Sequence, residues 1–510
     1  MAENVAAHAR APRWAKVIDQ TRCIGCHACT TACKSENDVP LAVTRTYVKH
    51  VDVGLYPQAR RAHQVTRCNQ CQHAPCVVAC PTAAMYQRPD GIVDFDKSIC
   101  IGCKACMAAC PYDAIFINPA DHSAEKCNFC AHRIDQGLEP ACVVVCPVEA
   151  ILVGDLHDAG SKVARIVQRD AVQVRRPEKE TLPKLFYKGA HQATLDPLAA
   201  RRPAGGLFMW SEQLETPAHV VSGNPDYSNT SAAALLAYDV PHSLPWDWRV
   251  SLYTWTKGLA AGAYVVAALL VLFGYLRADS ALWLWVAPVV SGAFLALTGG
   301  LLIWDLEHPA RCYMIFTRPQ WRSWLVRGAV IIAAYALALA LHFAASLAGQ
   351  TSLQRWLMIA GLPLALLTAV YTAYLFAQAK ARDLWQNPLL PPHLFVQSLL
   401  VGAGALAPFA LWREPALFNP LLWTLAATTG LHLLLVVGEL TLTHPTAHAR
   451  LAVRELTRGR FRPFFLLGTL LALAGLFAPW LGLAAVPLAL VGLLLYEHAY
   501  VQAGQAVPLA

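Results

Sequence analysis

The alternation of apolar and polar residues changes character near residue 250. Before it, apolar positions come in short runs, as in Ala15 to Asp19 and Gly91 to Asp94, which read as strands leading into cysteine-rich turns. Short helices are expected after the Cys-Pro steps that close those turns. From about Leu252 onward the sequence turns into long stretches of Leu, Ala, Val, Gly and Trp, each near the roughly 20 residues a helix needs to cross a bilayer. Eight spans are read, near 252–276, 281–304, 324–347, 356–378, 393–412, 418–441, 463–480 and 483–503. Between the two regimes, from about Gly154 to Arg249, lies a polar stretch rich in Pro and Gly with no run long enough to span, so the first membrane helix starts on the side that holds the cysteines. The pattern predicts an α+β cysteine domain over 1–190, a polar linker over 191–250 and an all-α polytopic domain of about eight transmembrane helices over 251–510.

Sixteen of the seventeen cysteines fall into four groups of four, an internal repeat in itself. Cys23, Cys26, Cys29 and Cys33 follow C-x2-C-x2-C-x3-C, and Cys100, Cys103, Cys106 and Cys110 repeat that spacing and add Pro111. The group Cys68, Cys71, Cys76 and Cys80, followed by Pro81, opens the middle gap, and Cys127, Cys130, Cys142 and Cys146, followed by Pro147, opens it further. Three closely spaced thiolates wrap three iron corners of a 4Fe-4S cube, and the fourth, beyond the turn, reaches a neighbouring cube. Groups two and three lie close in sequence and read as one two-cluster ferredoxin unit, which leaves groups one and four to each other. This predicts the ligand sets Cys68, Cys71, Cys76, Cys110; Cys100, Cys103, Cys106, Cys80; Cys23, Cys26, Cys29, Cys146; and Cys127, Cys130, Cys142, Cys33. A zinc ribbon would account for the split fourth group alone, but three repeats with Cys-Pro endings point to clusters. Cys23-Ile-Gly-Cys26-His27 also fits a haem-attachment pattern, yet both cysteines are already used by the first group, so no haem is expected there. With little apolar core available, the four clusters must hold an α+β ferredoxin-like repeat together.

The net charge of +8 would suit nucleic acid, but much of the excess lies in short loops between apolar spans, where basic residues set topology, so no nucleic-acid binding is expected. Loops on the cysteine side carry Arg311, Arg318, Arg322, Lys380, Arg382, Arg450, Arg454, Arg458, Arg460 and Arg462, against Arg277, Arg355 and Arg413 on the other. The N-terminus shows no apolar core, cleavage site or arginine pair of an export signal. Together these place the protein in a bacterial inner membrane, embedded in the lipid bilayer, with its cluster domain on the cytoplasmic face.

Ionisable residues within spans are expensive and are read as candidates for function. Span two ends in Asp305, Glu307, His308 and Arg311, and span six in Glu439 and His444. Asp305 and His308 would share a helix face if the helix runs that far. Span one adds Trp255 and Lys257, span three Arg327, and span eight Glu497 and His498 at the same level. Lys257, Arg327 and Glu497 sit near predicted span ends, where anchoring at the interface is ordinary. Their convergence at one depth instead predicts a pocket for a quinone headgroup built from Trp255, Lys257, Asp305, His308, Arg311, Arg327, Glu439, Glu497 and His498. The deep histidines are read as His342 and His432 alone, about 10 Å apart in depth at 1.5 Å per residue, so opposed haem ligation is not expected. Cys312 has no partner group and reads as an idle thiol.

The four cysteine groups, with Arg176-Pro177-Glu178 and Lys184-Leu185-Phe186-Tyr187, resemble the iron-sulfur subunit of molybdopterin oxidoreductase complexes of the dimethyl sulfoxide reductase family over about residues 14 to 190. The membrane half, with Gly258-Leu-Ala-Ala-Gly262, Asp305 to Arg311, Ser323-Trp324 with Gly328, and Ala503-Gly504-Gln505, resembles the eight-span quinone-linked anchor of the polysulfide reductase type. In that family the two are usually separate chains; here they are fused. The resemblance implies a separate molybdopterin catalytic subunit as partner, with the set led by Cys23 nearest to it and the set Cys100, Cys103, Cys106, Cys80 nearest the membrane. It also implies a complete cubane at Cys103, where nitrate-reductase-like relatives carry Trp. The cytoplasmic orientation makes the arrangement more similar to the sulfite dehydrogenase branch. The chain holds no pterin-binding domain, so it is read as the electron-transfer and anchor subunit and not as the enzyme by itself. A proton-translocating anchor using Glu439, His432 and His342 is the alternative.

Overall fold

The computed structural model describes residues 11–54, 57–201 and 234–510. Residues 1–10, read above for an export signal, and 202–233 of the proline-rich stretch lie outside the described residues. The chain folds into two units, Met1–Ser243 with Pro508–Ala510, and Leu244–Val507.

Among the described residues the strands of the first unit are β1 (Trp14–Asp19), β2 (Thr46–Val53), β3 (Arg60–Arg67), β4 (Met85–Gln87), β5 (Val93–Phe95), β6 (Ile115–Ile117), β7 (Ala124–Lys126), β8 (Ile151–Asp155), β9 (Val172–Gln173), β10 (Leu185–Lys188) and β11 (Ala234–Tyr238). They form a four-stranded sheet in the order β8-β1-β10-β9, a three-stranded sheet β11-β2-β3, and the hairpins β4-β5 and β6-β7. The stretch read as a linker thus supplies an edge strand, β11, antiparallel to β2.

Register explains how cysteines far apart in sequence meet. In the antiparallel pair β1-β8, Ile18 faces Ile151. Cys23 lies five residues after Ile18 and Cys146 five before Ile151, so both emerge at one end of the sheet. The hairpin β4-β5 repeats the device. Met85 faces Phe95, and Cys80 and Cys100 stand five residues outside that pair.

The short helices precede the Cys-Pro steps and do not follow them: Pro75–Ala79 before Cys80, Ala105–Ala109 before Cys110, and Ala141–Val144 before Cys146. Proline supplies no amide for a helix and pushes the residue before it to extended backbone. Cys80 and Cys110 accordingly sit at φ −68°, ψ 121° and φ −74°, ψ 116°. The helix ends there and a strand begins five residues later.

Near the end of this unit His242 lies between two carboxylates, Asp113 Oδ2 at 2.7 Å and Asp239 Oδ1 at 3.2 Å. Burial pulls its pKa down, but Asp239 and Asp113 overcome this and raise it to about 9. A histidine with a raised folded-state pKa stabilises fully below its unfolded value of about 6.5, and that stability is lost as pH rises through about 9. The first unit is therefore expected to lose up to about 3 kcal/mol between these pH values. Melting curves of the purified protein against pH check this, and His242→Gln flattens the dependence.

In the second unit seven described helices are long and apolar enough to cross a membrane. Six are spans one to six: Trp248–Leu272, Leu282–Trp304, Trp324–Leu347, Thr351–Ala377, Leu390–Arg413 and Pro415–Thr441. The seventh, Ala478–Ala506, occupies the position of predicted span eight. The predicted span seven is the second arm of a pair, Ala447–Thr457 and Arg462–Leu476, bent by 69°; counted as one span, this pair makes eight. Arg462–Leu476 has 15 residues, about 22 Å of helix against a hydrocarbon core of about 30 Å. The expected boundary misses that end because the apolar run continues through Phe477 into the next helix.

The outside of this unit is apolar, with Leu337, Leu434 and Leu470 all exposed, as a surface facing lipid requires. Exposed tryptophans gather near both ends of the spans, Trp248, Trp304 and Trp321 at the near end where span one begins, and Trp356, Trp412 and Trp480 at the far end. The protein is a multi-pass membrane protein. Spans one and five touch backbone to backbone: a Cβ on Gly262 would meet the Ser398 carbonyl oxygen at 1.7 Å. Small residues allow such approach in membranes, and here it brings Thr254 of span one to the same cavity as His393 and Gln397 of span five.

Candidate functional site

The cysteine loops are built from left-handed turns. Gly25 and His27 flank Cys26 at φ 71° and 61°, and Gly102 and Lys104 flank Cys103 at φ 70° and 60°. Gly tolerates this backbone freely. Two such turns within three residues curl the chain around a concavity, where backbone amides can face anionic sulfur. Amides of Met85, Ala124 and Ala150 donate to Cys80 Sγ, Cys100 Sγ and Cys146 Sγ at 3.4, 3.4 and 3.2 Å.

The thiols meet in four neighbourhoods. Cys23 lies in the field of Cys146 and Cys26, and Cys29 in that of Cys23 and Cys146; Cys23, Cys26, Cys29 and Cys146 line one cavity. Cys33 neighbours Cys127, Cys142 and Cys130. Cys76 neighbours Cys68, Cys110 and Cys71. Cys106 neighbours Cys103, Cys80 and Cys100, and these four line a second cavity. The neighbourhoods also form a row: Cys29 feels Cys142, Cys68 feels Cys127, and Cys106 feels Cys76. We number the quartets in that order, from the one containing Cys23 to the one containing Cys103.

The donor chemistry fits iron-sulfur clusters. Thiols gather in fours, two of the groups around cavities, and among the described residues no three His, Cys, Asp or Glu side chains converge on the position of a single metal ion. Burial pushes most of the thiols up, Cys29 and Cys110 to about 11 and Cys33 and Cys71 to about 12. Iron would have to displace these protons on binding. Cys142 differs. Burial raises it too, but two buried cations overcome that and bring it to about 7. Arg67 Nη1 donates to Cys142 Sγ at 2.8 Å and Lys16 Nζ at 3.7 Å. Asn37 Nδ2 adds contacts to Cys33 and Cys130 at 3.7 and 3.8 Å. The second quartet thus has two cations aimed at one of its sulfurs, which no cysteine spacing could have announced. Cys312 is half-buried, apart from these groups.

In the membrane unit the predicted polar residues do not all gather. Lys257 is the tenth residue of span one, about 14 Å along it, and almost wholly buried. It is no interface anchor: its Nζ donates to Ala369 O and Thr372 Oγ1, both at 2.8 Å. Glu497 is buried and accepts from Thr254 Oγ1 at 3.0 Å. Glu439 is buried and accepts from Asn387 Nδ2 at 3.1 Å and Tyr496 OH at 3.3 Å. Trp255 Nε1 donates to Leu490 O at 3.0 Å. Span two ends at Trp304, so Asp305 and His308 do not share a helix face; Asp305 pairs with Arg249 at 3.7 Å, while His308 precedes and Arg311 ends a separate short turn, Pro309–Arg311. Arg327 is exposed and lies over Trp324, and His498 packs against Phe464. Of the nine predicted residues Glu497 lines the cavity described next, and the other eight do not.

That cavity is walled by Phe376, Leu390, Leu394 and Val501, with Thr254, His393, Gln397, Tyr496, Glu497 and Tyr500 as its polar groups. Convergent polar groups in an apolar setting are what a small-molecule site uses for recognition; the cavity as it stands has room for about one water, so a larger ligand enters only when its walls part. Gln397 Oε1 is buried with no hydrogen-bond partner among the described residues. His393 is a third deep histidine, which the sequence hides by placing it at the predicted start of span five. It is buried and its Nε2 lies 2.8 Å from His432 Nδ1.

Comparison with known proteins covers both units. Residues 62–156 match the 4Fe-4S dicluster domain family, 14–35 a 4Fe-4S binding domain, and 239–492 the family described as Polysulphide reductase, NrfD. A tetrathionate reductase subunit of Salmonella typhimurium is 43% identical over 209 residues, covering 39% of this chain and 80% of that protein. A putative dimethyl sulfoxide reductase iron-sulfur subunit of Halobacterium salinarum is 41% identical over 201 residues, covering 34% and 77%. The thiosulfate reductase electron transfer subunit PhsB of Salmonella typhi is 43% identical over 178 residues, covering 34% and 92%.

Proposed function

We propose, because this chain belongs to the 4Fe-4S electron-transfer subunits of the tetrathionate, thiosulfate and dimethyl sulfoxide reductase type and carries a polysulphide-reductase-type (NrfD) membrane domain, that it relays electrons between a separate molybdopterin subunit and membrane quinone. The observation that carries the reading is the row of four thiol quartets, each the size of one cubane ligand set, with every quartet beside the next. Four 4Fe-4S clusters there would pass single electrons along the row. The chain's own part is to hold each set of thiolates at a fixed separation and to set the charge around it.

In this reading the first quartet receives or delivers electrons at the molybdopterin subunit, whose substrate is a small sulfur compound or oxyanion such as sulfite. The fourth quartet serves the quinone. The quinone headgroup occupies the cavity of His393, Gln397 and Glu497, which can donate to or accept from its two carbonyl oxygens. The basic loops support a cytoplasmic cluster domain on an inner membrane.

Glu497→Gln tests the site. It keeps the size of the side chain and removes the carboxyl's proton chemistry, so quinone-linked turnover is expected to fall on the order of tenfold, about 1.4 kcal/mol on the barrier. The cluster spectra stay unchanged. Turnover equal to the unmodified complex would remove Glu497 and this cavity from the proposal.

A further inference from the structure

The bent pair of helices before span eight carries the densest basic stretch of the membrane unit. Between Thr443 and Arg462 stand Arg450, Arg454, Arg458, Arg460 and Arg462 against a single acid, Glu455. Glu455 is buried and accepts from the Arg460 amide at 3.4 Å, so it is turned inward to hold the bend. The first arm, Ala447–Thr457, buries His448, Leu451, Ala452 and Leu456 and packs on span eight. Arg450 and Arg454 lie on its other face, and Arg458, four residues on, caps its end; all three are exposed. The turn that follows is tight, with the Arg462 amide donating to Gly459 O at 3.2 Å. Among the described residues no ion pair holds Arg450, Arg458 or Arg462.

The second arm ties these charges to lipid. Arg462 opens the helix Arg462–Leu476, and Leu466, Leu470, Leu473 and Phe477 follow it at helical spacing, all exposed. The arginine therefore stands at the foot of a lipid-facing stripe. That arm is also short: its 15 residues reach about 22 Å, about 8 Å less than the hydrocarbon core, whereas span six beside it has 27 residues and reaches about 40 Å. A short span draws the bilayer inward or sends its flanking residues to the headgroups. Exposed Trp480, past the far end of the arm, belongs at the opposite interface. The shortfall is then met at the near end, where Arg462 lies at the level of lipid phosphate. Two ordinary reasons for basic residues explain only part of this. The positive-inside bias counts charge in a loop and asks for no common face. Carbonyls at the end of the first arm attract Arg454 and Arg458, but the positive end of the second arm repels Arg462.

We propose that the bend between the two arms is a binding site for an anionic phospholipid. Its phosphate is held by Arg458 and Arg462, with Arg450 and Arg454 beside it, and its acyl chains lie along Leu466, Leu470 and Leu473. Guanidinium groups suit phosphate oxygens, and an apolar stripe directly above them suits the chains. A free phosphate meets only half of such a site. The bound lipid fixes the first arm under span eight, the helix that carries Glu497.

The test uses the purified complex in a neutral detergent, with dioleoylphosphatidylglycerol as the anionic probe and dioleoylphosphatidylcholine as the zwitterionic one, and counts retained lipids by native mass spectrometry. The unmodified complex should retain the anionic lipid in preference, and excess inorganic phosphate should not displace it. A basic side chain at a membrane surface is worth about fivefold in affinity, so Arg458→Gln with Arg462→Gln should cut retention of the anionic lipid on the order of tenfold or more. Retention of the zwitterionic lipid and the cluster spectra should stay unchanged, and Arg458→Lys with Arg462→Lys should restore most of the loss. Should the double Gln variant not assemble, a photoreactive phosphatidylglycerol on the unmodified complex reads the same site, with crosslinks expected within 458–473. Equal retention of the two lipids, displacement by phosphate, retention untouched by the double Gln variant, a loss that the double Lys variant does not restore, or crosslinks only elsewhere overturns the site.

Discussion

Replacing Cys103 by serine takes one thiolate from the fourth quartet, and quinone-linked electron transfer should fall at least on the order of tenfold, about 1.4 kcal/mol or more on the barrier. Cys103 is buried and lines the cavity with Cys80, Cys100 and Cys106. Lys104 and Gly102 on either side hold the loop in left-handed turns that position it. Serine keeps that loop but offers iron a poorer ligand, so the damage is confined to one cluster of the row. Spectra of the complex should lose or change the signal of that cluster and keep the other three. A protein whose clusters only shaped a docking surface would bind its partner as before and lose little turnover, so measuring turnover beside partner retention separates the two readings.

Arg67→Met has the second largest expected effect, and it is one on potential. Arg67 is buried, and its Nη1 lies 2.8 Å from Cys142 Sγ. A cation so placed would stabilise the reduced, more negative state of a cluster held by Cys33, Cys127, Cys130 and Cys142 over its oxidised state. Hydrogen bonds to charged groups are worth about 1.5–3 kcal/mol, and the difference between two charge states of one cluster is a part of that. A differential of about 1.4 kcal/mol is about 59 mV for one electron, so the midpoint of this cluster should drop by roughly 50–100 mV. Redox titration followed by electron paramagnetic resonance reads the shift, and Arg67→Lys should recover part of it. Lys16, beside Phe129 and 3.7 Å from the same sulfur, remains in both variants and limits the loss.

The thiols and the spans are legible in the sequence for a simple reason: cluster ligation needs fixed short spacings, and a bilayer needs long apolar runs. What surrounds them is not. Arg67 ends β3 and Lys16 lies in β1, so each reads as an ordinary strand residue until the sheets bring it against Cys142. The helices before Cys80 and Cys110 are expected on the wrong side of the proline, because a proline also suits a helix start, whereas here it acts on the residue before it as a stop. In the membrane unit, charge draws attention to Arg327 and His498, whereas Gln397, Tyr496 and Tyr500 line the cavity with uncharged polar groups that look like packing in an apolar helix. A shared face for Asp305 and His308 depends on a helix that ends four residues too early. Lys257 reads as a span-end residue in the sequence, and only the fold shows its burial between spans one and four.

Electron passage between the clusters of this chain and a quinone in its membrane domain is tested most directly by rapid-freeze paramagnetic resonance of the fully reduced, purified complex mixed with a soluble quinone. The reduced signals of all four clusters should decay within a single turnover time, and a tight-binding quinone analogue should prevent the decay. Clusters that stay reduced in the presence of excess quinone would contradict it.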